Sequence, residues 1–336
     1  MTGFSSIATI QPNIVDPGFV DSYMTSTWVD AMPDSSFKQN LSETTQQVLK
    51  FALGVTTNGQ MGQGNAYNVP SLSYTSELMS TPVYTFNVQY SINRDAAAMA
   101  ANYGADEAAM QQWLAEKALF IQTMDAVIDG INPAIGEGLL NATDRTSVVL
   151  LASDSVGETD LDLQDKGEVR TAIIGHLNQL LQRNGMQTSR GFTIGVLASQ
   201  KFWGEVHGAP IQLTSAQREG AGTITVWEAM LQWAKAYDAT FQIGMSDKLN
   251  GKGINATDAA IFFLHEIKRS SMNQFDVNKT APVPIENNVM SIYTMPPIEE
   301  PISQHGGLHV HVKARMTGLW AYRGKAITVL SYPFSV

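Results

Sequence analysis

The longest amphipathic stretch of this sequence constrains its fold more than any other feature. It begins after Asp106, a residue type that commonly caps helices, and it ends before Gly130 and Pro133. Its apolar side chains recur at helical spacings: Met110, Trp113, Leu114, Phe120, Ile121, Met124, Val127 and Ile128. This period predicts one helix of about seven turns with a buried face, well above the average of about three turns.

A second segment, residues 81–93, alternates between polar and apolar side chains with a period of two residues. Its apolar side chains are Tyr84, Phe86, Val88, Tyr90 and Ile92. Such alternation predicts a β-strand with one apolar face. A strand of this kind needs a partner surface, because an isolated hairpin is only marginally stable in water. The partner is either a neighbouring subunit or the chain's own core.

The remaining periodic segments alternate between helices and short strands. Helices are predicted for residues 37–53, 168–183 and 225–237, and buried strands for residues 146–152, 192–198 and 258–267. The segment at residues 307–332 predicts two long strands joined near Arg323 and Gly324. This order of elements indicates an α+β fold.

The composition is poor in charge. Charged residues make up 15% of the 336-residue chain, against roughly 25% in an ordinary soluble domain. Because charge is depleted in the cores of protein–protein interfaces, this suits a surface that contacts neighbours, and equally an ordinary acidic enzyme. The net charge of −10 argues against a protein whose main task is to bind nucleic-acid phosphates. The absence of cysteine excludes disulfide scaffolds, zinc fingers and thiol catalysis.

No segment of the sequence presents a recognisable catalytic or cofactor site. Residues 318–325 resemble a phosphate-binding P-loop, but five residues instead of four separate the glycines and no Ser or Thr follows the lysine. His309 and His311 would share one face of a strand, but a third metal ligand is not evident nearby. Acidic residues 154–168 fail the EF-hand template, because Asp165 stands where glycine is required. We therefore expect no cofactor, no metal and, without an 18-residue apolar run, no membrane contact.

In their order along the chain, these elements resemble the major capsid proteins of tailed bacteriophages with the HK97-type fold. The Gly-rich segment and the two-faced strand, at residues 54–103, precede the long helix as the extended E-loop precedes the spine helix in that family. Residues 136–141, GEGLLN, are similar to the stretch that follows this helix. Residues 167–181 and 192–203 resemble the first helix and next strand of the axial A-domain, and residues 313–330 resemble the closing hairpin of the P-domain.

The resemblance implies a division of the chain into five parts. These are an N-terminal arm with a short helix (1–53), the E-loop hairpin (54–104), a P-domain segment with the spine helix (105–145), the A-domain (146–297) and a return to the P-domain (298–336). It also implies that an apolar face of the E-loop, formed by Tyr84, Phe86, Val88, Tyr90 and Ile92, contacts a neighbouring subunit.

The function implied by the resemblance is structural rather than enzymatic. The chain would assemble as pentamers and hexamers into an icosahedral capsid around double-stranded DNA, found in the virion after assembly in the host cytoplasm. Scaffold, portal and cement proteins are further partners that the resemblance allows, and packaged DNA would touch the wall non-specifically, for example at Lys268 and Arg269. The alternatives are an encapsulin-like compartment and an acidic cytoplasmic α+β enzyme with an unidentified site.

Covalent cross-linking is not expected in this chain. Some members of the family form isopeptide bonds between an E-loop lysine and an asparagine. Here no lysine lies between Lys50 and Lys117. Any shell would therefore depend on buried area and accessory contacts for its stability.

Overall fold

The computed structural model describes residues 38–56, 73–95, 97–98, 106–186, 191–209, 211, 224–268, 286–288, 290–304, 307–321 and 323–335. The N-terminal arm predicted at residues 1–35 and the Gly-rich residues 57–69 lie outside these ranges. The helices discussed below are α1 (Glu107–Ile128), α2 (Lys166–Arg183), α3 (Gln200–Gly208) and α4 (Val226–Ala236).

The strands are, in chain order, β1 (Lys38–Asn40), β2 (Gln47–Thr56), β3 (Ser73–Pro82), β4 (Tyr84–Asn93), β5 (Val149–Leu150), β6 (Thr193–Ala198), β7 (Thr240–Met245), β8 (Asp258–Leu264), β9 (Glu266–Lys268), β10 (Glu286–Asn288), β11 (Met290–Gln304), β12 (Gly307–Met316), β13 (Trp320–Ala321) and β14 (Ile327–Tyr332). Helices and largely antiparallel sheets are thus combined in one chain, as the predicted α+β class requires.

The first sheet contains the predicted two-faced strand. Within the described residues its strands lie in the order β1–β11–β12–β4, and β13 pairs with the N-terminal end of β11. β4 and β12 are antiparallel along their whole length, from Asn93 opposite Gly307 to Tyr84 opposite Met316. From Val310 onward every second residue of β12 is buried, so this sheet has one apolar face, on which α1 packs.

The second sheet holds most of the hydrophobic core. Within the described residues its strands lie in the order β5–β14–β8–β6–β7. Every residue of β14 is buried, and β8 and β6 are buried over most of their length. Continuous burial is typical of strands covered on both faces. The helices α2, α3 and α4 contribute buried side chains to the same core.

The helix α1 is confirmed with the predicted cap. The Asp106 carboxylate accepts hydrogen bonds from the backbone N–H groups of Ala108 (3.0 Å) and Ala109 (3.2 Å), which would otherwise lack partners at the helix start. After Ile128 the chain turns at Gly130, which has φ +79°.

The two ends of α1 belong to different cores. Ala115 and Leu119, in its first half, lie in the cluster beneath the first sheet. Met124, Val127 and Ile128, in its last turns, lie in the core of the second sheet. One helix therefore connects the two cores, which explains why the chain retains a helix of 22 residues.

The shorter elements of the second sheet mostly follow the predictions. The helices predicted at residues 168–183 and 225–237 are observed as α2 and α4, and the strand at 192–198 as β6. The strand predicted at 146–152 is shorter, because only two of its residues pair with β14. The strand predicted at 258–267 is divided into β8 and β9, and β9 pairs with β10 in a separate sheet.

The helix predicted at residues 37–53 is wrong. The described residues form β1, which pairs in parallel with β11, and β2, which pairs with β3. The apolar residues Leu41, Val48, Leu49 and Ala52 do have helical spacing, but backbone hydrogen bonds to distant strands determine the conformation. Long-range pairing of this kind overrides local propensity.

The two strands predicted within residues 307–332 are observed as β12 and β14, but the closing hairpin expected for residues 313–330 is wrong. β12 pairs with β11 and β4 in the first sheet, whereas β14 pairs with β8 and β5 in the second. The segment that follows Met316 carries the chain from one sheet to the other. The expected boundary between residues 297 and 298 falls inside β11.

The buried histidine of α2 makes the stability of the fold sensitive to acid. His176 is 5% exposed, its Nε2 lies 2.9 Å from the hydroxyl oxygen of Thr328, and its ring meets Phe262 edge-on. Burial, with a smaller contribution from Arg183, lowers its pKa from 6.5 to about 4. Between these two values the unfolded chain binds a proton that the folded chain does not.

Stability is therefore expected to fall as the pH falls from about 6.5 to about 4, by roughly 3 kcal/mol from this residue, since one pKa unit corresponds to about 1.36 kcal/mol. Urea unfolding of unassembled protein at a series of pH values measures this slope. His176→Gln should flatten it. An unchanged slope in His176→Gln would contradict the assignment.

Candidate assembly surfaces and the junction between the sheets

The apolar face of β4, predicted to contact a neighbouring subunit, packs in part against the chain's own helix α1. Phe86, Val88 and Tyr90 are half-buried and pack on a cluster formed by α1 and β12. The cluster consists of Ala115, Leu119, Val310, Val312 and Ala314.

These three side chains therefore pack within the subunit, and the register explains why, while contact of their exposed parts with a neighbouring subunit stays a prediction. Tyr90, Val88 and Phe86 stand opposite the buried residues Val310, Val312 and Ala314 of β12. Directly opposed residues point to the same face of a sheet, and α1 covers this face. The strand thus belongs to the subunit's own core, the second of the two partners left open by the sequence.

The two outer residues of this face lie in different surroundings. Tyr84 lies near the buried Glu137, and burial first, then the negative charge of Glu137, raises the pKa of Tyr84. Ile92 is half-buried at the opposite end of β4, where its partner Leu308 is 37% exposed. Exposed apolar surface therefore remains at the end of the strand near Ile92, and not along its length.

The strands β2 and β3 form an extended hairpin. Within the described residues they pair only with each other, from Gln47 opposite Pro82 to Thr56 opposite Ser73. Leu49, near the start of β2, is 60% exposed. A two-stranded sheet without a covering layer is marginally stable on its own. This hairpin is the described element best suited to meet another chain.

The base of the β2–β3 hairpin is fixed to the first sheet by Arg315 of β12. Its guanidinium donates to the backbone carbonyl oxygens of Glu43, Thr45 (2.6 Å) and, more weakly, Ser42 (3.5 Å). Charge-assisted hydrogen bonds of this kind are stronger than neutral ones. The body of the subunit thus holds the chain at the point where it enters the hairpin.

A glycine-rich turn joins the end of α1 to both sheets. Gly130, Gly136 and Gly138 have φ values of +79°, +82° and +89°, a region that side chains with a Cβ rarely adopt. The N–H of Gly138 donates to the carbonyl of Leu319, 2.8 Å away, in the segment that crosses between the sheets. Residues 136–141, singled out in the sequence, are therefore a structural junction.

The carboxylate of Glu137 is buried in this junction. Its side chain is fully shielded from solvent and accepts a hydrogen bond from the backbone N–H of Asn132, 2.9 Å away. Its backbone forms a bridge with Trp320. A Cβ placed on Gly318 would lie 2.9 Å from the Glu137 Cβ, so the crossing segment approaches the turn as closely as a glycine permits.

Two ion pairs link the end of α1 to the loops before β8. Lys248 pairs with Asp125, and Lys252 Nζ lies 2.9 Å from an oxygen of Asp129. Carboxylates are unfavourable near the negative end of a helix dipole, and the last turn of α1 contains no basic residue. Lys248 and Lys252, in the loops before β8, therefore neutralise carboxylates that no basic residue in the last turn of α1 compensates.

The acidic segment at residues 154–168 is a surface loop that leads into the first turn of α2. The Asp154 carboxylate accepts backbone hydrogen bonds from Val156 (3.0 Å) and Glu158 (2.9 Å), and Asp165 caps α2. Val156 at its tip is 86% exposed. The loop thus uses its carboxylates to fix its own backbone.

The residues that the sequence analysis weighed as metal or phosphate sites do not form such sites in the part of the chain that the structure describes. In these residues no three His, Asp or Glu side chains are grouped as metal ligands would be. His309 and His311 lie half-exposed on one face of β12. Residues 320–321 form β13 and residues 324–326 a short 3-10 turn, not a phosphate-binding loop. No described helix is long and apolar enough to cross a bilayer.

The comparisons with known proteins bear on the fold. No protein-family model matches the sequence, and no curated protein matches it. Among solved structures, the capsid of Myoviridae phage XM1 aligns with a TM-score of 0.67 at 11% identity, covering 98% of this chain and 97% of that one. Gordonia phage Cozz aligns with a TM-score of 0.51 at 11% identity, covering 98% and 91%. The capsid of the native GTA particle aligns with a TM-score of 0.50 at 13% identity, covering 98% of each chain.

These alignments extend over nearly the whole chain in each direction. The chain therefore has the HK97-type fold of phage major capsid proteins, as the resemblance implied. At 11% to 13% identity the likeness establishes the fold alone.

Proposed function

We propose that this chain is a structural subunit that assembles into the icosahedral capsid of a bacteriophage and encloses double-stranded DNA. The agreement of fold with the XM1 capsid over 98% of the chain is the observation that supports this function most directly. In the virion the subunits would be arranged as pentamers and hexamers, with packaged DNA in non-specific contact. Scaffold, portal and cement proteins are the partners expected at other stages of assembly.

Two features of the chain itself support a shell subunit. The β2–β3 hairpin forms a two-stranded sheet of its own, and among the described residues no third strand pairs with it. Only 15% of the residues are charged, which is suited to a surface largely occupied by neighbours. Closed symmetric assemblies bury the same patches on every subunit, so one chain with such surfaces suffices to build a shell.

The parts of the fold then take the following roles. The β2–β3 hairpin is the E-loop, with described strands at residues 47–56 and 73–82, and β4 belongs to the P-domain with α1, β11 and β12. The second sheet with α2, α3 and α4 is the axial A-domain. Relative to the expected division, the E-loop starts earlier and ends before β4, because β4 pairs with β12. Lys268 ends β9, and Arg269 lies outside the described residues, so DNA contact there stays a prediction.

Electron microscopy and sedimentation of the purified full-length protein, with and without co-expressed candidate scaffold, test this function. We expect closed particles containing nuclease-protected double-stranded DNA when the packaging proteins are present. Particles that never contain nucleic acid would favour a protein compartment. A monomer or small oligomer at every concentration and salt tested would favour the enzyme alternative and contradict a shell.

Particles are expected to lack covalent links between subunits. Lys50, in β2, is the only lysine of the hairpin sequence from residue 47 to residue 82, and the segment between its strands contains no lysine that could form an isopeptide bond. Particles boiled in denaturant should therefore run as a single band near 36.5 kDa. A ladder of multiples in the same gel would contradict this prediction.

A further inference from the structure

A cavity of about 490 Å³ lies where the end of α1, the segment that follows it and the loop of Lys252 meet. Its walls combine apolar and charged side chains: Asp129, Pro133, Leu140, Asn141, Arg145, Val148 and Lys252. Apolar walls with a few polar groups are typical of surfaces that receive a specific side chain or ligand.

Three of the polar residues in this cavity are linked by an ion pair and a hydrogen bond. The Asp129 carboxylate pairs with Lys252 Nζ at 2.9 Å, and the Asp129 carbonyl oxygen accepts a hydrogen bond from Asn141 Nδ2 at 2.7 Å. These contacts occupy the cation of Lys252 and the anion of Asp129. The remaining charge in the cavity is the guanidinium of Arg145.

Among the described residues, no side-chain hydrogen bond or ion pair of Arg145 is found. Its Nη1 atom is shielded from solvent and has no hydrogen-bond partner, and no ion pair involves this residue within the described part of the chain. Burial lowers the pKa of Arg145. A partly buried cation without a partner is costly, because the guanidinium has lost part of its hydration and gained no acceptor in return.

The backbone around Arg145 is firmly placed. Its N–H donates to the carbonyl of Ala142, 3.1 Å away. A Cβ placed on Gly324 would lie 2.6 Å from the Arg145 nitrogen, so the turn before β14 packs directly against this residue. The side chain therefore extends from a fixed backbone position, and its planar guanidinium suits recognition of a planar carboxylate.

We propose that this cavity binds a carboxylate side chain from a second copy of the chain, with Arg145 as its ion-pair partner. The inference rests on the proposed function, since it needs a neighbouring subunit. Charge complementarity supports this occupant: the cavity carries a net positive charge, and each copy has 31 acidic against 21 basic residues. DNA is less suitable, because phosphodiesters bind rows of exposed cations, and here the Asp129 carboxylate lies in the same cavity.

The test compares Arg145→Met with Arg170→Met, which removes the same charge from an exposed position of α2. In dilute, unassembled protein, Arg145→Met should unfold at the same urea concentration as wild type or a higher one, because it removes a cation without an internal partner. The concentration needed for particle formation should rise about tenfold or more, as expected for loss of a charge-assisted pair. Arg145→Lys should give an intermediate value, since it keeps the charge but not the planar fork. Arg170→Met should assemble as wild type does.

The outcomes separate this inference from the proposed function. If wild-type protein never forms particles, the shell function itself fails. If wild type and Arg145→Met form particles at the same concentration, the carboxylate contact is overturned and the shell function stands. A loss of urea resistance in unassembled Arg145→Met would assign the residue an internal role instead. Weaker binding of random-sequence double-stranded DNA with normal assembly would make the ligand a phosphodiester and also overturn the proposal.

Discussion

Gly138→Ala is expected to destabilise the subunit by at least about 3 kcal/mol, at the large end of single-substitution effects. Gly138 is buried, has φ +89°, and a Cβ there would lie 2.5 Å from the carbonyl carbon of Asp129. The obstacle is backbone at the end of α1, which cannot move without disturbing the turn that joins the two sheets. Urea unfolding followed by circular dichroism on unassembled protein measures the loss.

The matched control for this prediction is Gly157→Ala. Gly157 has a similar φ of +97°, but nothing lies within 4 Å of a Cβ placed there. Its replacement should cost only the conformational penalty of a positive φ, about 1 to 2 kcal/mol. The difference between the two variants isolates the close approach at the junction. Equal losses of unfolding free energy in both variants would show that the junction accommodates the added Cβ atom. The positive φ alone would then explain the effect.

The second large effect is expected for Phe86→Asp combined with Tyr90→Asp. Both side chains pack on the cluster that includes Leu119 of α1, so two carboxylates would enter an apolar layer. We expect the free energy of unfolding to fall by more than about 3 kcal/mol, because of lost apolar contact and the cost of desolvating charge. Circular dichroism and urea unfolding of the unassembled double variant measure this loss.

The control places the same charges on the other face of the same strand. Asn87 and Gln89 are exposed and stand opposite Lys313 and His311, so Asn87→Asp with Gln89→Asp should be tolerated. A Phe86→Asp, Tyr90→Asp protein that folds as well as this control but fails to form particles would restore the inter-subunit contact expected from the sequence. A double variant that folds and still forms particles would show that neither the packing on α1 nor a contact with a neighbouring subunit depends on these two side chains.

Local patterns in the sequence predict those elements whose stability is local or whose burial is regular. α1 follows from the spacing of its apolar residues and from Asp106, and β4 follows from its alternation. β2 was predicted as a helix because Val48, Leu49 and Ala52 also fit a helical spacing, and its partner β3 is distant from that window. The sequence predicts both β12 and β14 as strands. Their assignment to different sheets depends on hydrogen bonds to strands far away in the sequence, which a local pattern does not reveal.

The candidate sites were less predictable than the elements. The face of β4 was correctly identified as apolar, but its partner required the position of α1 relative to β12. Glu137 and Arg145 carry no sequence signal, because one charged residue among many becomes distinctive only when its burial and its partners are known. The glycines at 130, 136 and 138 follow the predicted helix and indicate its end. The sequence does not show which backbone atoms they approach closely.

The contrast between the β2–β3 hairpin and the rest of the subunit has a geometric consequence. Both sheets are fixed to α1 by buried side chains, whereas the hairpin is tied at its base through Arg315 and is stabilised otherwise by its own backbone pairing. Its direction therefore costs little free energy to change, while the body cannot change shape without opening a core. In the proposed shell, a subunit built in this way would act as a rigid body with an adjustable hairpin, so that identical copies would fit both fivefold and sixfold positions without refolding.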